Sequence, residues 1–406
     1  MLQLKAYRFQ IQPSASQAGA LSEWSHALRF LWNWMLAQRR DAYQASEGRV
    51  SVGYCEQAGQ LVPMKAVFPW LELLPSQALQ QTLLDLDQAF ARFFEGRSGY
   101  PAFKRRGGSC PGLRWPQGVE VNGRCVWLPK LGWVKARFSR RIEGTAKNVT
   151  VRFDGLRWHV SIQVEQEVGH PAGHKGPDIG IDLGVAESLA LSDGNRFRLP
   201  VASKEEERRN GMLARRVSRC QAGSRRHALA KRRLLRFRRT ITNRVNDARH
   251  KLTTRLAQSH GRVFVEDLAL RSLTRSVRGT VEAPGTNVAA KAGLNRALLK
   301  QGHAETARQL GCKLGWLGGE LLKVPAAFTS QRCPECGHTC AGNRPARDRF
   351  QCVACGHAGH ADNVAARDIL AAGQAVFVGG GSREPAKREP TRSRRFHCRP
   401  AGIPPL

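Results

Sequence analysis

Two Cys-x-x-Cys pairs, Cys333/Cys336 and Cys352/Cys355, with the fifteen residues Gly337 to Gln351 between them, constrain this chain more tightly than any other feature. At that spacing four thiolates can close on one tetrahedral ion, the arrangement of a zinc ribbon. Both pairs run on into Gly-His, in CPECGH and CVACGH. A glycine after the second sulfur lets the backbone turn tightly and aim amides back at the thiolates. Four thiolates leave the metal no open position, so one Zn2+ here is expected to be structural and the chemistry must come from other residues. His338, His357, His360 and Cys340 then stand outside the ligand set.

The remaining cysteines argue for a reducing compartment. The total of eleven is odd, and Cys55, Cys110, Cys125, Cys220, Cys312 and Cys398 are scattered without the regular pairing of a disulfide framework. The N-terminal MLQLKAYRFQ lacks the apolar core of a secretory signal, and no run approaches the roughly 18 apolar residues of a membrane span. A cytoplasmic protein with no membrane partner is expected. Its formal charge of +33 over 406 residues makes a polyanion the natural partner, and nucleic acid is the obvious one.

That charge is concentrated. From Arg208 to Arg255 there are 17 Lys or Arg against one acid, Asp247. The second half of this segment also carries Leu234, Phe237, Ile241, Val245, Ala248 and Leu252 at helical spacing. One face of a long helix is therefore expected to pack while the others present Arg225, Arg226, Lys231, Arg232, Arg233, Arg236, Arg238 and Arg239 to phosphates. Before this segment come a strand-like start, amphipathic helical patterns around Leu21 to Met35 and from Ser76, and β-rich runs from Val119 to Val168.

Three acids are candidates for the chemistry. Asp182 lies in the strand pattern DIGIDLGV, on the same face as Gly180 and Gly184, which would leave room beside it for a phosphate backbone. Asp178, at the strand's edge, ranks below it. In VFVEDL, alternation sends Glu266 and Asp267 to opposite faces, so only one can join Asp182. Asp362 opens the final helix, where N-capping is the commonest role of such a residue. Taken singly, no acid is specific: the alternative for Asp182 is a turn or hydrogen-bonding role, for Glu266 that of an ordinary strand-end acid, and for Asp362 that of a cap. Their order is more telling, because three carboxylates converging on one sheet edge are what two Mg2+ ions require for in-line attack of water on a phosphodiester.

GIDLGV, FVEDL and TSQRCPECGH…CVACGHAGHADNVAARDIL together resemble the three RuvC-like nuclease motifs and interrupting zinc ribbon of the TnpB family, transposon-encoded RNA-guided DNA endonucleases related to type V CRISPR effectors. KAYRFQIQPSASQ, FFEGRSGYPAFKRR and LPKLGWVKARF extend the resemblance to about Gly373. It implies an α/β multidomain protein with an N-terminal lobe over 1–170, a wedge-like β-barrel carrying a helical recognition insert at about 15–97. An RNase H-like (RuvC) nuclease domain would follow over 176–332, including the basic helical segment 208–256. The ribbon would occupy 333–357, the last nuclease helix 358–375, and a disordered basic tail 376–406. The implied catalytic Mg2+ ligands are Asp182, Glu266 and Asp362, the Zn2+ ligands Cys333, Cys336, Cys352 and Cys355, and the partners a guide RNA and target double-stranded DNA. A nuclease-derived DNA-binding protein of repressor type and a DNA strand transferase are the alternatives.

Overall fold

The computed structural model describes residues 2–105, 112–169, 171, 173–280, 282–325 and 329–378. The chain divides into two compact units at 169/170.

The first unit opens with strand β1 (Leu2–Gln12), whose alternation buries Tyr7, Phe9 and Ile11. Ser14 then caps helix α1 (Ala15–Ala45), accepting from the Gln17 amide while the Gln17 side chain accepts from the Ser14 amide. Leu21, Leu28, Leu31 and Met35 form its buried stripe. Short helices α2 (Tyr54–Gly59) and α3 (Leu61–Val67), a 3-10 turn (Pro69–Leu73) and helix α4 (Ser76–Phe94) complete the helical layer. Strands β2 (Leu113–Trp115), β3 (Glu120–Asn122), β4 (Cys125–Leu128), β5 (Gly132–Arg137), β6 (Thr145–Phe153) and β7 (Trp158–Glu167) join β1 in an antiparallel sheet ordered β2-β6-β7-β1-β5-β4-β3. Among the described residues the sheet is an open half-barrel with β2 and β3 at its edges, in place of the wedge-like β-barrel that the resemblance implies. One apolar core, including Leu28, Leu79, Trp115 and Ile162, joins the helices to the sheet.

The second unit is a mixed sheet flanked by helices. Strands β8 (Ile179–Asp182), β9 (Leu189–Leu191) and β10 (Arg196–Phe197) form an antiparallel meander whose final turn uses Gly194 at φ +95°. Helices α5 (Lys204–Ser218) and α6 (Arg225–Ser259) follow as a hairpin, then β11 (Arg262–Glu266), α7 (Leu270–Leu273), α8 (Val288–Gln301), α9 (His303–Leu317) and β12 (Glu320–Val324). β11 is parallel to both β8 and β12, giving the order β10-β9-β8-β11-β12. A small antiparallel pair, β13 (Arg349–Gln351) and β14 (Ala358–His360), leads directly into helix α10 (Ala361–Val378). β14 lies past residue 357, the expected end of the ribbon, and pairs with β13 inside it. The last helix runs three residues past the expected 375, to Val378. The expected disordered tail lies, after Val378, outside the described residues. No helix among the described residues is long and apolar enough to cross a membrane.

Helix α10 explains the glycine beside Asp182. A Cβ on Gly180 would come within 2.1 Å of the Ala366 carbonyl and 2.7 Å of the Leu370 amide, so the space is filled by α10 itself. The expectation that Gly180 admits a phosphate backbone is thus overturned: it admits a helix. Gly373 does the same over the Phe264 ring.

Candidate active site

Four sulfur atoms form the most tightly closed constellation. The ligand atoms of Cys333, Cys336, Cys352 and Cys355 all lie within 4.8 Å of one another, and the Cys333–Cys355 and Cys336–Cys352 Sγ pairs are each 3.6 Å apart. Disulfide sulfurs would be about 2 Å apart, whereas thiolates at about 2.3 Å from one tetrahedral zinc stand nearly 4 Å from one another. The donor set and its spacing fit a single Zn2+. The two pairs have the same backbone: Gly337 and Gly356, at φ +73° and +77°, donate to the carbonyls of Cys333 and Cys352, and the Cys333 and Cys352 amides donate to the carbonyls of His338 and His357. Only glycine adopts such φ values without strain. Phe350, Ala361 and Val364 pack on Cys333 and Cys352, so the first turn of α10 belongs to the ribbon's core.

Asp362 lies in that first turn. Asp182 ends β8, and Glu266 ends β11, one position beyond the paired residues Ile181 and Val265. Parallel register thus brings Asp182 and Glu266 side by side at the ends of neighbouring strands, and α10 packs on the same sheet through Gly180. Asp182 feels the charge of the other two acids. Burial, with Glu266 and Asp362 nearby, pushes Asp182 up to about 7, against the pull of Arg344 and the Leu183 amide. Burial also raises Glu266, and a hydrogen bond from Thr329 Oγ1 to Glu266 Oε1 opposes that rise. Arg344, in the ribbon, reaches Asp362 Oδ1 at 3.6 Å. Among the described residues the three carboxylates do not close into a second cluster as tight as the thiolates.

The other candidate acids lie elsewhere in the unit's bonding. Asp178 accepts from Arg262 Nε at 2.7 Å, and Asp267, just beyond β11, pairs with Lys323 at 2.7 Å. Both are structural ion pairs. Thr329 and Arg344 escaped the reading of the sequence. Thr329 opens the quoted TSQRC stretch but carries no charge or metal-ligand character that would single it out, and Arg344 is one of several basic residues in the ribbon with no periodic signal.

Comparison with known proteins assigns the family. Residues 161–277 match a model described as "Probable transposase", 303–369 match "Cas12f1-like, TNB domain", and 1–48 match "Helix-turn-helix domain". The chain is 40% identical over 399 residues to "Putative RNA-guided DNA endonuclease InsQ" of Escherichia coli (strain K12), an alignment covering 96% of this chain and 98% of that protein. This chain belongs to the TnpB family. A second TnpB relative, "Putative RNA-guided DNA endonuclease" of Streptomyces pristinaespiralis, is 31% identical over 99% of this chain and 98% of its own length. The solved Cas12f1-sgRNA-target DNA complex aligns with 91% of this chain and 99% of that chain at 14% identity and a TM-score of 0.49. Despite the helix-turn-helix description, residues 2–45 of this TnpB chain form one strand followed by one long helix.

The basic segment of this TnpB chain is the hairpin of α5 and α6. Arg225, Arg226, Lys231, Arg232, Arg233, Arg236 and Arg238 are exposed along α6, and Arg239 is half-buried. Arg238 donates to Asn210 of α5 at 2.8 Å, which tethers one of the eight. Ala230, Leu234 and Leu256 are buried, whereas Phe237, Ile241 and Val245 are only partly covered. Arg249 departs from the others: it is buried, donating to the Gln301 carbonyl at 3.1 Å and to Asn246 at 2.9 Å. Gln301 in turn donates to the Val185 carbonyl at 2.9 Å, and His303 hydrogen-bonds the Gly184 carbonyl at 3.0 Å. The loop that follows Asp182 is thereby tied to the inner side of the basic hairpin.

Proposed function

We propose that this chain is an RNA-guided DNA endonuclease that hydrolyses phosphodiester bonds with two Mg2+ ions held by Asp182, Glu266 and Asp362. The observation that carries the proposal is the meeting of three acids, from two neighbouring parallel strands and the helix packed on them, closely enough that two of them raise the proton affinity of the third. An all-oxygen donor set suits hard divalent cations. Asp182, Glu266 and Asp362 would hold such ions, which would supply activation of water and neutralisation of charge on the phosphate.

The remaining roles fall to the chain's own groups. Asp182, partly protonated near neutrality, would have to give up its carboxyl proton to hold a cation. Arg344 places a guanidinium beside Asp362, where it can balance negative charge of the carboxylates or of an entering phosphate. The exposed arginines of α6 track phosphates without reading bases, and guide pairing supplies sequence specificity.

In this account the second unit is an RNase H-like, RuvC-type domain interrupted between β12 and α10 by a ribbon holding one structural Zn2+. The first unit is a wedge with its recognition insert at about 15–97, engaging guide RNA and a short motif beside the target in the cytoplasm. Support for guided action comes from relatives that carry the RNA-guided endonuclease name along nearly their whole length. The test is to purify the protein from its host, sequence the RNA that accompanies it, and offer the complex a matching plasmid with Mg2+ or EDTA. A discrete transcript and Mg2+-dependent cutting of the matched plasmid alone are expected. The absence of any discrete transcript, or cutting that persists in EDTA, contradicts the proposal.

A further inference from the structure

Thr329 stands where the chain passes from the nuclease sheet to the ribbon. It follows β12, whose Val324 is paired with Glu266, and it precedes Cys333 by four positions. Only 5% of its surface is exposed, and its Oγ1 donates to Glu266 Oε1. The segment after it is held from two sides. Arg332 Nε lies 3.6 Å from Oδ1 of the buried Asp368 on α10, and the Gln331 carbonyl accepts from Asn343 of the ribbon at 2.8 Å.

We propose that Thr329 is a positioning residue for divalent-cation binding, its hydroxyl fixing one oxygen of Glu266 so that the carboxylate meets the cation already oriented. The inference rests on the assignment of Asp182, Glu266 and Asp362 as cation ligands. A glutamate side chain left free loses rotamer entropy when it is ordered, and ordering it on folding removes that cost from the binding step. A hydroxyl suits the task because it donates a hydrogen bond without adding charge, and one carboxylate oxygen can accept it while the other serves a metal. Since the same segment enters the zinc knuckle, the knuckle also fixes where the hydroxyl stands.

The test compares T329V, which keeps the shape and loses the hydroxyl, with T329S, which keeps the hydroxyl, each as its purified complex with guide RNA. Fe2+ with ascorbate and peroxide is the probe, because iron bound at the carboxylates cuts the nearby polypeptide and reports occupancy independently of DNA cleavage. T329V is expected to need about 10-fold more Fe2+ for half-maximal scission near 182, 266 and 362, and about 10-fold more Mg2+ for half-maximal DNA cutting, in the range usual for groups that orient ligands. T329S should stay within about twofold of the native complex, with zinc content and target binding unchanged in both. A native Fe2+ requirement in T329V overturns the proposal, as does an equal loss in both variants, which would make the role one of packing. Loss of zinc from T329V also overturns it, by making Thr329 a ribbon anchor. E266Q separates the levels: native scission and cutting in E266Q would sink the carboxylate assignment itself, whereas an impaired E266Q beside an unaffected T329V sinks only the role of Thr329.

Discussion

The four cysteines sit on two matching turns within one short stretch, and those turns, with the small core packed on Cys333 and Cys352, bring sulfur to 3.6 Å from sulfur. Asp182, Glu266 and Asp362 come from two strands and a helix far apart in the chain, and nothing local holds them together. The first centre needs a hairpin to exist; the second needs the whole second unit folded, including the fit of α10 against Gly180. The two centres are also joined, since α10 grows out of β14 and the Ala361 amide donates to the Asp348 carbonyl of the ribbon at 2.9 Å. The cysteine stretch thus sets the position of one of three acids that only the folded unit brings together.

The largest expected effect separates the centres. D182A, E266A or D362A should each lower target cutting by roughly 10³-fold, because removing one ligand disables the cation pair. Zinc content by mass spectrometry and target binding by gel shift should stay native. The opposite perturbation, C352S with C355S, is expected to lose zinc and to lower cutting by roughly 10²-fold as well, since the ribbon positions Asp362. Full cutting by zinc-free protein would break the link between the two centres.

A third outcome concerns stability. The folded protein holds the Asp182 proton up to about pH 7, while an unfolded chain releases it near the ordinary aspartate value. The proton-linked stability is therefore complete below that lower value and is lost as pH rises through about 7. In EDTA, D182N escapes this loss and should exceed the native protein by about 2 kcal/mol at pH 8, a gain shrinking to nothing near pH 4 in urea melts. The smallest effect is expected on α6. R232A with R233A and R236A should weaken nucleic-acid binding about 10-fold and flatten its dependence on the logarithm of salt concentration by about 2–3, without changing the metal requirement of cutting.

The cysteine spacing made the ribbon legible in the sequence because its physics is local, with ligands and turn glycines close in the chain. Asp182 could be placed in a strand, Glu266 at a strand's end and Asp362 at a helix start, and the resemblance to a family joined them. Their side-by-side placement depends on the parallel register of β8 and β11, which no periodicity encodes. Gly180 was recognised as making room, but whether helix or phosphate fills that room is decided by tertiary packing. Arg249 was hidden for a related reason: within a run of arginines, composition does not distinguish a buried guanidinium bonded to the Gln301 carbonyl from its exposed neighbours. Thr329 and Arg344 act through contacts with residues distant in sequence, and neither bears a pattern of its own.

Anomalous scattering from Mn2+, in crystals of the protein with its guide RNA and target DNA, bears most directly on the claim that these carboxylates form one cation site. Two peaks, about 4 Å apart and ligated by oxygens of Asp182, Glu266 and Asp362, are the result this account requires. Manganese bound only at other positions, with any of the three side chains turned away from it, would contradict it.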